Sequence, residues 1–280
     1  MKQWDTVAIV GVGLIGGSIG LALRRRKLAR RVIGIGRRAG SLRAALRMGA
    51  VTSTTLHLAR GVAEAELIVV ATPVGRIVEH VQAVAEHCPA GALVTDAGST
   101  KAEIVHALRG RLPRDVRFIG SHPLAGSDKS GPAAADAALF EGKLVIITPT
   151  PDDDAEACRR ISRFWTALGA RVKTMTPEDH DQAVAATSHL PHLMASAIAA
   201  ATPDEFLPLA ASGWMDTTRV AAADPDLWTQ IFRSNKANVL SALDSTEKTL
   251  AALRKALESE NGDGLEEILA AAKRNRDSVK

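Results

Sequence analysis

Aromatic residues are scarce in this sequence, and none of them is tyrosine. Four Trp and five Phe make up 3% of the 280 residues. Proteins that bind single-stranded nucleic acid stack the bases on aromatic side chains, and this chain has too few for such a platform. The 35 basic and 31 acidic residues give a net charge of only +4, which does not indicate a nucleic-acid partner. We therefore expect no nucleic-acid binding.

Cysteines and long apolar runs are scarce too. The two cysteines, Cys88 and Cys158, have no metal-like spacing, so neither a disulfide framework nor a zinc site is predicted. The first apolar run begins at Val7 and is interrupted by Gly11. It is too short for a secretory signal or a membrane-spanning helix. We expect a cytoplasmic protein that does not bind a membrane.

Short apolar runs are abundant, and they alternate with stretches of helical periodicity. This alternation predicts a parallel β-sheet with right-handed helical crossovers, which is the α/β class. The runs predicted as strands are 7–10, 32–35, 67–71, 92–95, 116–119, 144–148 and 170–173. Beyond them the sequence is rich in Ala and Leu and is predicted to be all helical. We predict a Rossmann-type dinucleotide-binding domain at 1–173 and a helical domain at 174–280.

A leucine stripe with helical spacing lies in the second half of the chain. It consists of Leu240, Leu243, Leu250, Leu253 and Leu257. Such a stripe predicts a long amphipathic face that needs an apolar partner. The partner is either the core of the same chain or a second copy of it. A small helical domain has little surface of its own to cover the stripe, which favours a subunit interface.

A glycine-rich turn follows the first predicted strand and opens a helix. Gly11 permits a tight turn, Gly13 lets a pyrophosphate approach the backbone, and Gly16 lets the helix pack on the strand. Leu14 and Ile15 begin the helix, whose N-terminal dipole favours an anion. The pattern predicts dinucleotide binding. A glycine turn used only for packing is the alternative.

The second strand ends in Gly36, Arg37 and Arg38, where a Rossmann domain commonly has an acid that binds the ribose hydroxyls. That acid is absent, and an arginine at this place can pair with a 2′-phosphate. An ordinary solvated pair of arginines is the other interpretation. The cofactor is therefore predicted to be NADP or NAD, with NADP favoured.

Two further strand ends carry residues of interest, because ligands bind beyond the carboxyl ends of strands in a doubly wound sheet. Thr72 and Pro73 are predicted to cap a helix and to line the cofactor site. His122 follows another strand, and Pro123 biases it towards an extended conformation. A lone histidine is usually a surface or packing residue. Beside a nicotinamide, however, it is a candidate general base.

The turn after the fourth predicted strand has both a structural and a functional interpretation. Thr100 and Glu103 have the spacing of a capping box, which would make this turn a helix start. Asp96 and Gly98 are predicted to contact the cofactor. Ser99 is predicted to point into the crevice.

The helical half contains two polar groups in an apolar background. His189 and His192 are three residues apart, and Pro191 is predicted to kink the helix beside them. No third ligand stands at metal-binding spacing, so no metal is predicted. Asp216 and Arg219 form the other group, and a guanidinium is suited to bind a carboxylate through two hydrogen bonds.

Five ordered motifs resemble the prephenate and arogenate (cyclohexadienyl) dehydrogenase family. They are GVGLIGGS at 11–18, DAGSTK at 96–101, SHPLAGSDKSG at 121–131, SHLPH at 188–192 and DTTR at 216–219. The resemblance implies oxidative decarboxylation of prephenate or arogenate in tyrosine biosynthesis, with hydride transfer to NAD(P)⁺. It also implies a homodimer built through the helical domain. The motifs do not distinguish prephenate from arogenate.

The resemblance also implies roles for individual residues. His122 is similar to the family's catalytic histidine, which accepts the proton of the ring hydroxyl, and Ser99 to its helper at that hydroxyl. Arg219 is similar to the arginine that binds a substrate carboxylate. The other substrate-side residues implied are His192, His189, Asp216, Ser127 and Asp128. Asp128 departs from the family pattern, in which many relatives have Glu.

Two other functions remain as alternatives to this resemblance. One is another two-domain dehydrogenase or imine reductase of similar build, which would lack the pairing of His122 with Arg219. The other is a non-enzymatic dinucleotide sensor, whose crevice residues would be apolar or unpaired. Substrate screening and nucleotide binding without turnover would distinguish them.

Overall fold

One twisted sheet and a set of helices make up the computed structural model, which describes residues 4–113, 115–125 and 131–279. Within these residues the sheet has eight strands in the order β3-β2-β1-β4-β5-β6-β7-β8. Their bounds are β1 Trp4–Val10, β2 Ala29–Ile35, β3 Ser53–Thr55, β4 Leu67–Val70, β5 Leu93–Asp96, β6 Arg117–Pro123, β7 Leu144–Thr148 and β8 Arg171–Thr174.

The helices cover both faces of the sheet and then continue alone. In the first half they are α1 Leu14–Arg25, α2 Ala39–Arg47, α3 Leu58–Val62, α4 Ile77–Ala85, α5 Ala102–Leu108 and α6 Ala155–Ala167. After β8 the described chain is helical, as predicted, with α7 Pro177–Val184, α8 Leu190–Ala201, α9 Ser212–Thr218, α10 Pro225–Ser234, α11 Lys236–Glu258 and α12 Gly262–Asp277. Among the described helices, none has the length and apolar character needed to cross a bilayer.

Alternation of side chains along the central strands builds a core on each face of the sheet. Val7 and Ile9 of β1 join one fully buried cluster, whereas Ala8 and Val10 join the other. The predicted α/β class with a helical second half is confirmed. Because the order changes direction between β1 and β4, the carboxyl ends of these strands border a crevice where nucleotides bind in this class of fold.

The sheet differs from the predicted one in two strands. β3 is only three residues long, partly exposed and without an apolar run, so hydrophobic periodicity could not reveal it. β7 pairs antiparallel with β6, which corrects the prediction of a wholly parallel sheet. A parallel neighbour needs a crossover, usually a helix, whereas the described part of the β6–β7 connection contains only the 3₁₀ turn Pro132–Ala134.

The leucine stripe of α11 is only partly covered within one chain, with Leu243 and Leu253 partly buried. Leu240 and Leu250 are each 48% exposed, and Leu257 is 64% exposed. Val239 and Ala256 are the buried residues of this long helix. The three exposed leucines therefore remain available to a partner.

Candidate functional site

The glycine turn after β1 has the geometry that a pyrophosphate requires. Gly11 has a φ of +96°, and a Cβ there would lie 2.5 Å from the carbonyl oxygen of Ala71. A Cβ at Gly16 would lie 1.9 Å from the carbonyl oxygen of Gly11, so both positions exclude a side chain. At Gly13, by contrast, a Cβ would meet no atom within 4 Å. The open space at Gly13 is where a phosphate can approach the backbone.

The start of α1 completes this cradle. No side chain caps the helix, so its first N–H groups remain free to bind an anion. Leu14 and Ile15, which begin the helix, are both partly exposed beside the turn. The residues present therefore fit a dinucleotide cofactor.

Two arginines follow β2 at the next strand end along the sheet. Arg37 and Arg38 are both exposed, and α2 begins at the following residue. Gly36 precedes them, and an added Cβ there would make only ordinary contact, 3.4 Å from Leu42 Cδ2. A side chain at position 36 is therefore sterically acceptable.

Thr72 does not cap a helix, which corrects the prediction for this turn. Its hydroxyl lies 3.0 Å from Nδ1 of His80. The N-cap position of the following 3₁₀ turn, Val74–Arg76, is occupied by Pro73, and no side chain caps this turn. Burial lowers the pKa of His80, and the positive charge of Arg76 acts in the same direction. Thr72 thus fixes a neutral ring beside the crevice.

A buried ion pair lies under the strand ends of β5 and β6. Asp96 and Lys101 are both fully buried, and the Lys101 ammonium donates to Oδ2 of Asp96. The same carboxylate accepts the N–H of Gly98 at 2.8 Å and that of Ser121 at 3.0 Å. Burial lowers the pKa of Lys101, whereas the Asp96 charge opposes this shift. Asp96 therefore holds the backbone of the turn that carries Gly98 and Ser99 by a hydrogen bond.

Ser121 links Asp96 to β6, the strand that carries His122. Its hydroxyl accepts the indole N–H of Trp165 at 3.0 Å and donates to the Asp96 carbonyl at 2.8 Å. Thr95 Oγ1 lies 2.6 Å from the same hydroxyl. These bonds fix the backbone immediately before His122.

His122 heads a chain of three polar side chains. Its Nδ1 lies 2.8 Å from Nε2 of His180, and the Nδ1 of His180 lies 2.7 Å from Oδ1 of Asp181. Burial lowers the pKa of His122 well below 6.5, and His180, Lys101 and His189 act in the same direction. The ring is therefore neutral at neutral pH, as a general base must be.

The start of α5 is capped from the helical half, which corrects the predicted capping box. Asp181 accepts the backbone N–H groups of Lys101 at 2.7 Å and Ala102 at 2.9 Å. Thr100 Oγ1 instead lies 3.0 Å from the Ser234 hydroxyl of α10. A carboxylate from α7 thus takes the place that the sequence pattern assigned to Thr100.

His189 and His192 of the helical half lie at or beside a break between α7 and α8. Residues Ala185–His189 form a π-helical turn, and Pro191 stands in the first turn of α8. The helix is therefore interrupted by a π-turn where a kink was predicted. Proline lacks the N–H needed for the regular bond, which accounts for the interruption at this position.

An aromatic cluster surrounds these histidines. The ring of His192 stacks on Trp228 with centroids 3.5 Å apart, and its buried Nδ1 has no hydrogen-bond partner in the described chain. His189 is also buried, and its Nδ1 lies 3.1 Å from Nδ2 of Asn235. Burial lowers the pKa of both histidines. Both rings are therefore neutral at neutral pH.

The remaining described residues that were predicted to bind the substrate do not belong to the aromatic cluster around His189 and His192. Asp216 and Arg219 are exposed, although the 3₁₀ turn Arg219–Ala222 packs against α8. Ser99 is partly exposed after β5. Ser127 and Asp128 lie outside the described residues.

Sequence reasoning missed several residues of the site, namely Lys101, His180, Asp181, Trp228 and Asn235. Lys101 belongs to the DAGSTK motif, but the motif does not indicate its buried ion pair with Asp96. His180 and Asp181 follow Pro177 in a short acidic helix start, which is an ordinary pattern. Only the strong burial of two adjacent polar residues, which a sequence does not show, distinguishes them.

A Rossmann-type sheet with an open pyrophosphate cradle and a neutral histidine at the same edge defines a nucleotide-dependent oxidoreductase. Comparison with known proteins narrows this class. Profiles of the nucleotide-binding domain and the dimerization domain of prephenate dehydrogenase match residues 19–174 and 176–271, respectively. This chain belongs to the prephenate dehydrogenase family.

Individual relatives match along nearly the whole chain. The prephenate dehydrogenase of Bacillus subtilis is 34% identical over 98% of this chain and 76% of its own length. The cyclohexadienyl dehydrogenase of Zymomonas mobilis is 32% identical over 100% of this chain and 98% of its own. The family predicted from the five motifs is confirmed, and with it an oxidoreductase of tyrosine biosynthesis that carries out oxidative decarboxylation.

One solved structure shows the same fold with ligands bound. It is a crystal structure of prephenate dehydrogenase from A. aeolicus in complex with hydroxyphenyl propionate and NAD⁺. Its TM-score is 0.91 at 32% identity, and the match covers 99% of this chain and 98% of that one.

Proposed function

We propose that this chain oxidises and decarboxylates prephenate or arogenate, with His122 as the proton acceptor. The observation that carries the proposal is the state and position of this ring. It stands at the end of β6, on the same sheet edge as the glycine turn, and its lowered pKa keeps it neutral. A neutral imidazole is an effective base near pH 7.

The reaction requires one proton and one hydride to leave the substrate together. The hydroxyl proton moves to His122, and the electron pair of that O–H bond forms the carbon–oxygen double bond as hydride leaves the carbinol carbon. The bond between the ring and its carboxylate carbon then breaks, which releases carbon dioxide. The electron pair of that bond makes the ring aromatic and turns the new carbonyl oxygen into a phenolate, which takes a proton back from His122. A nicotinamide, when bound, accepts the hydride. Ser99 is proposed to donate a hydrogen bond to the same oxygen.

The substrate carries carboxylates, and Arg219 is proposed to bind one of them. Its guanidinium is exposed, and it offers a planar pair of donors that lysine lacks. His192 is proposed to face the substrate side chain, supported by its buried Nδ1, which has no hydrogen-bond partner in the described chain. The supporting substrate-side residues proposed are His189, Asp216, Ser127 and Asp128.

The cofactor is NAD or NADP, and we propose that NADP is preferred. Arg37 and Arg38 follow β2 directly, and no acid stands between Gly36 and α2. Arg37 is proposed to pair with the 2′-phosphate. The other cofactor-binding residues proposed are Gly11, Gly13, Leu14, Ile15, Gly16, Thr72, Pro73, Asp96 and Gly98.

We further propose a homodimer built on the helical half. The exposed leucine stripe of α11 supports it, as does the match of residues 176–271 to a dimerization domain. A division into domains at 1–173 and 174–280 is proposed with it; this boundary lies one residue before the end of β8 at Thr174. A cytoplasmic location is proposed as well, and the sparse cysteines support it.

The test is a steady-state assay of both substrates with both cofactors, on the wild type and His122→Asn. The variant should lose about 100- to 10,000-fold in kcat, the scale of general-base catalysis, and should keep its nucleotide affinity. His106→Asn is the matched control, because His106 is an exposed ring paired with Glu178. A His122→Asn variant within about threefold of the wild type would exclude His122 as the base. Nucleotide binding without turnover of either substrate would favour a sensor.

A further inference from the structure

Asp181 is the fixed end of the chain that leads to His122. Its two oxygens accept the backbone N–H groups of Lys101 and Ala102, at 2.7 and 2.9 Å. Hydrogen bonds to the charged form of a carboxyl favour that form. Asp181 is therefore an ionised carboxylate, which can only accept hydrogen bonds.

This state decides where His180 carries its proton. Nδ1 of His180 lies 2.7 Å from Oδ1 of Asp181, and two acceptors cannot share such a contact. Nδ1 therefore bears the hydrogen. His180 is completely buried, and the ammonium of Lys101 lies in the same buried cluster. A second positive charge at this ring is unfavourable, so Nε2 of His180 is left as an acceptor.

The same logic applies to the next contact. His122 Nδ1 lies 2.8 Å from this acceptor nitrogen, so Nδ1 must donate. A neutral ring with a hydrogen on Nδ1 has its lone pair on Nε2. We propose that His180 and Asp181 are positioning residues that hold His122 in the one tautomer able to accept a proton at Nε2. This proposal rests on the proposed function, in which His122 is the base.

The arrangement also limits where the ring can turn. Ser121, the preceding residue, is fixed by the bonds to Asp96 and Trp165 described above, and His122 pairs with Ile146 of β7. The rings of His122 and His180 meet edge to face, with centroids 5.1 Å apart. When Nε2 takes the proton, the new charge faces a chain that ends in the Asp181 carboxylate. The pair of His180 and Asp181, here called the relay, therefore stabilises the protonated His122 ring as well as its neutral tautomer.

The tautomer can be measured without turnover. Ring ¹⁵N NMR distinguishes a protonated from an unprotonated imidazole nitrogen, and the chain has only eight histidines. His122→Asn identifies the His122 signals by their loss. In the wild type we expect Nδ1 of His122 to be protonated and Nε2 to be unprotonated. A protonated Nε2 on His122, or a doubly protonated His180, would overturn the proposal whatever the activity of the variants.

Two substitutions of His180 separate its acceptor from its bulk. The amide oxygen of His180→Gln can still accept the hydrogen of His122 Nδ1, whereas His180→Leu cannot. We expect the Gln variant to keep the wild-type tautomer and to retain kcat within about tenfold. We expect the Leu variant to populate both tautomers and to lose about 100-fold in kcat, with little change in KM.

The exposed pair of His106 and Glu178 is again the control, and His106→Gln should leave both kcat and the His122 signals unchanged. A Leu variant with wild-type kcat and tautomer would overturn the proposal. If that variant does not fold, the wild-type spectrum alone decides. If the wild-type tautomer is as expected but the His122→Asn variant is active, the proposed role of His122 as the base is refuted, whereas the role of His180 and Asp181 in fixing the tautomer is retained.

Discussion

Acidification should destabilise this protein through His189, a ring that is only 1% exposed. Nδ2 of Asn235 lies 3.1 Å from its Nδ1 and also donates to the carbonyl of Asp181 at 2.7 Å. An amide nitrogen only donates, so Nδ1 of His189 is an acceptor and the ring is neutral. Burial is the main cause that lowers the pKa of His189 to about 4; the Asp181 charge opposes it, and His180 and His192 reinforce it.

The direction of the effect follows from the two pKa values. An unfolded histidine titrates near 6.5, so below that pH the unfolded chain binds a proton that the folded chain does not bind until about pH 4. The stability linked to neutral His189 is therefore complete above about pH 7.5 and is lost as the pH falls towards 4. Between about pH 7.5 and 4.5 the loss amounts to about 2.5 kcal/mol.

His189→Asn isolates this contribution, because Asn can accept the Asn235 amide and does not titrate. Urea unfolding would be followed by the fluorescence of the four Trp at fixed protein concentration across this pH range. The wild type should lose about 2.5 kcal/mol more than the variant, and His57→Asn, at an exposed position, should lose as much as the wild type. A wild-type-to-variant difference that stays constant within about 0.5 kcal/mol would refute the reasoning.

Three further predictions concern ligands and assembly. Arg219→Ala should cost about 2 to 4 kcal/mol in kcat/KM, mostly through KM, since a carboxylate loses its forked partner; an unchanged KM would place that carboxylate elsewhere. Gly36→Asp should reverse a roughly ten- to hundredfold preference for NADP in kcat/KM, whereas a wild type at least about fivefold better with NAD would contradict the role of Arg37. Leu250→Glu should halve the mass measured by light scattering, and a monomeric, fully active wild type would refute the dimer.

Strand ends are the most informative part of the sequence. Buried parallel strands are continuous apolar runs, and the residues after them reach one edge of the sheet. This rule selects His122, Ser99 and the glycine turn as candidate site residues from the sequence alone. It also leads to two wrong local assignments, because Thr72 and Thr100 have the pattern of helix caps and their hydroxyls instead bond His80 and Ser234.

His180 and Asp181, which are proposed to fix the tautomer of His122, could not be found in this way. Asp181 meets α5 across 80 residues of sequence, through the N–H of Lys101, and no periodicity records a contact of that range. His180 and Asp181 look like the first turn of an exposed helix, where acids are common for local reasons. Their burial arises only because α7 packs against α5.

Because of this long-range cap, Asp181 takes part in two sets of contacts, one with α5 and one with His180, and both depend on how α7 packs against the sheet half. The same carboxylate caps α5 of the sheet half and fixes the proton of His180, which in turn contacts His122. Any shift of α7 that loosened the cap would also lengthen the contact between His180 and His122, and would thereby release the proposed tautomer of His122. The sheet half thus carries the glycine turn and the proposed base, whereas the helical half carries the two residues proposed to hold that base in its proton-accepting tautomer. A site divided in this way is complete only when both halves are packed together.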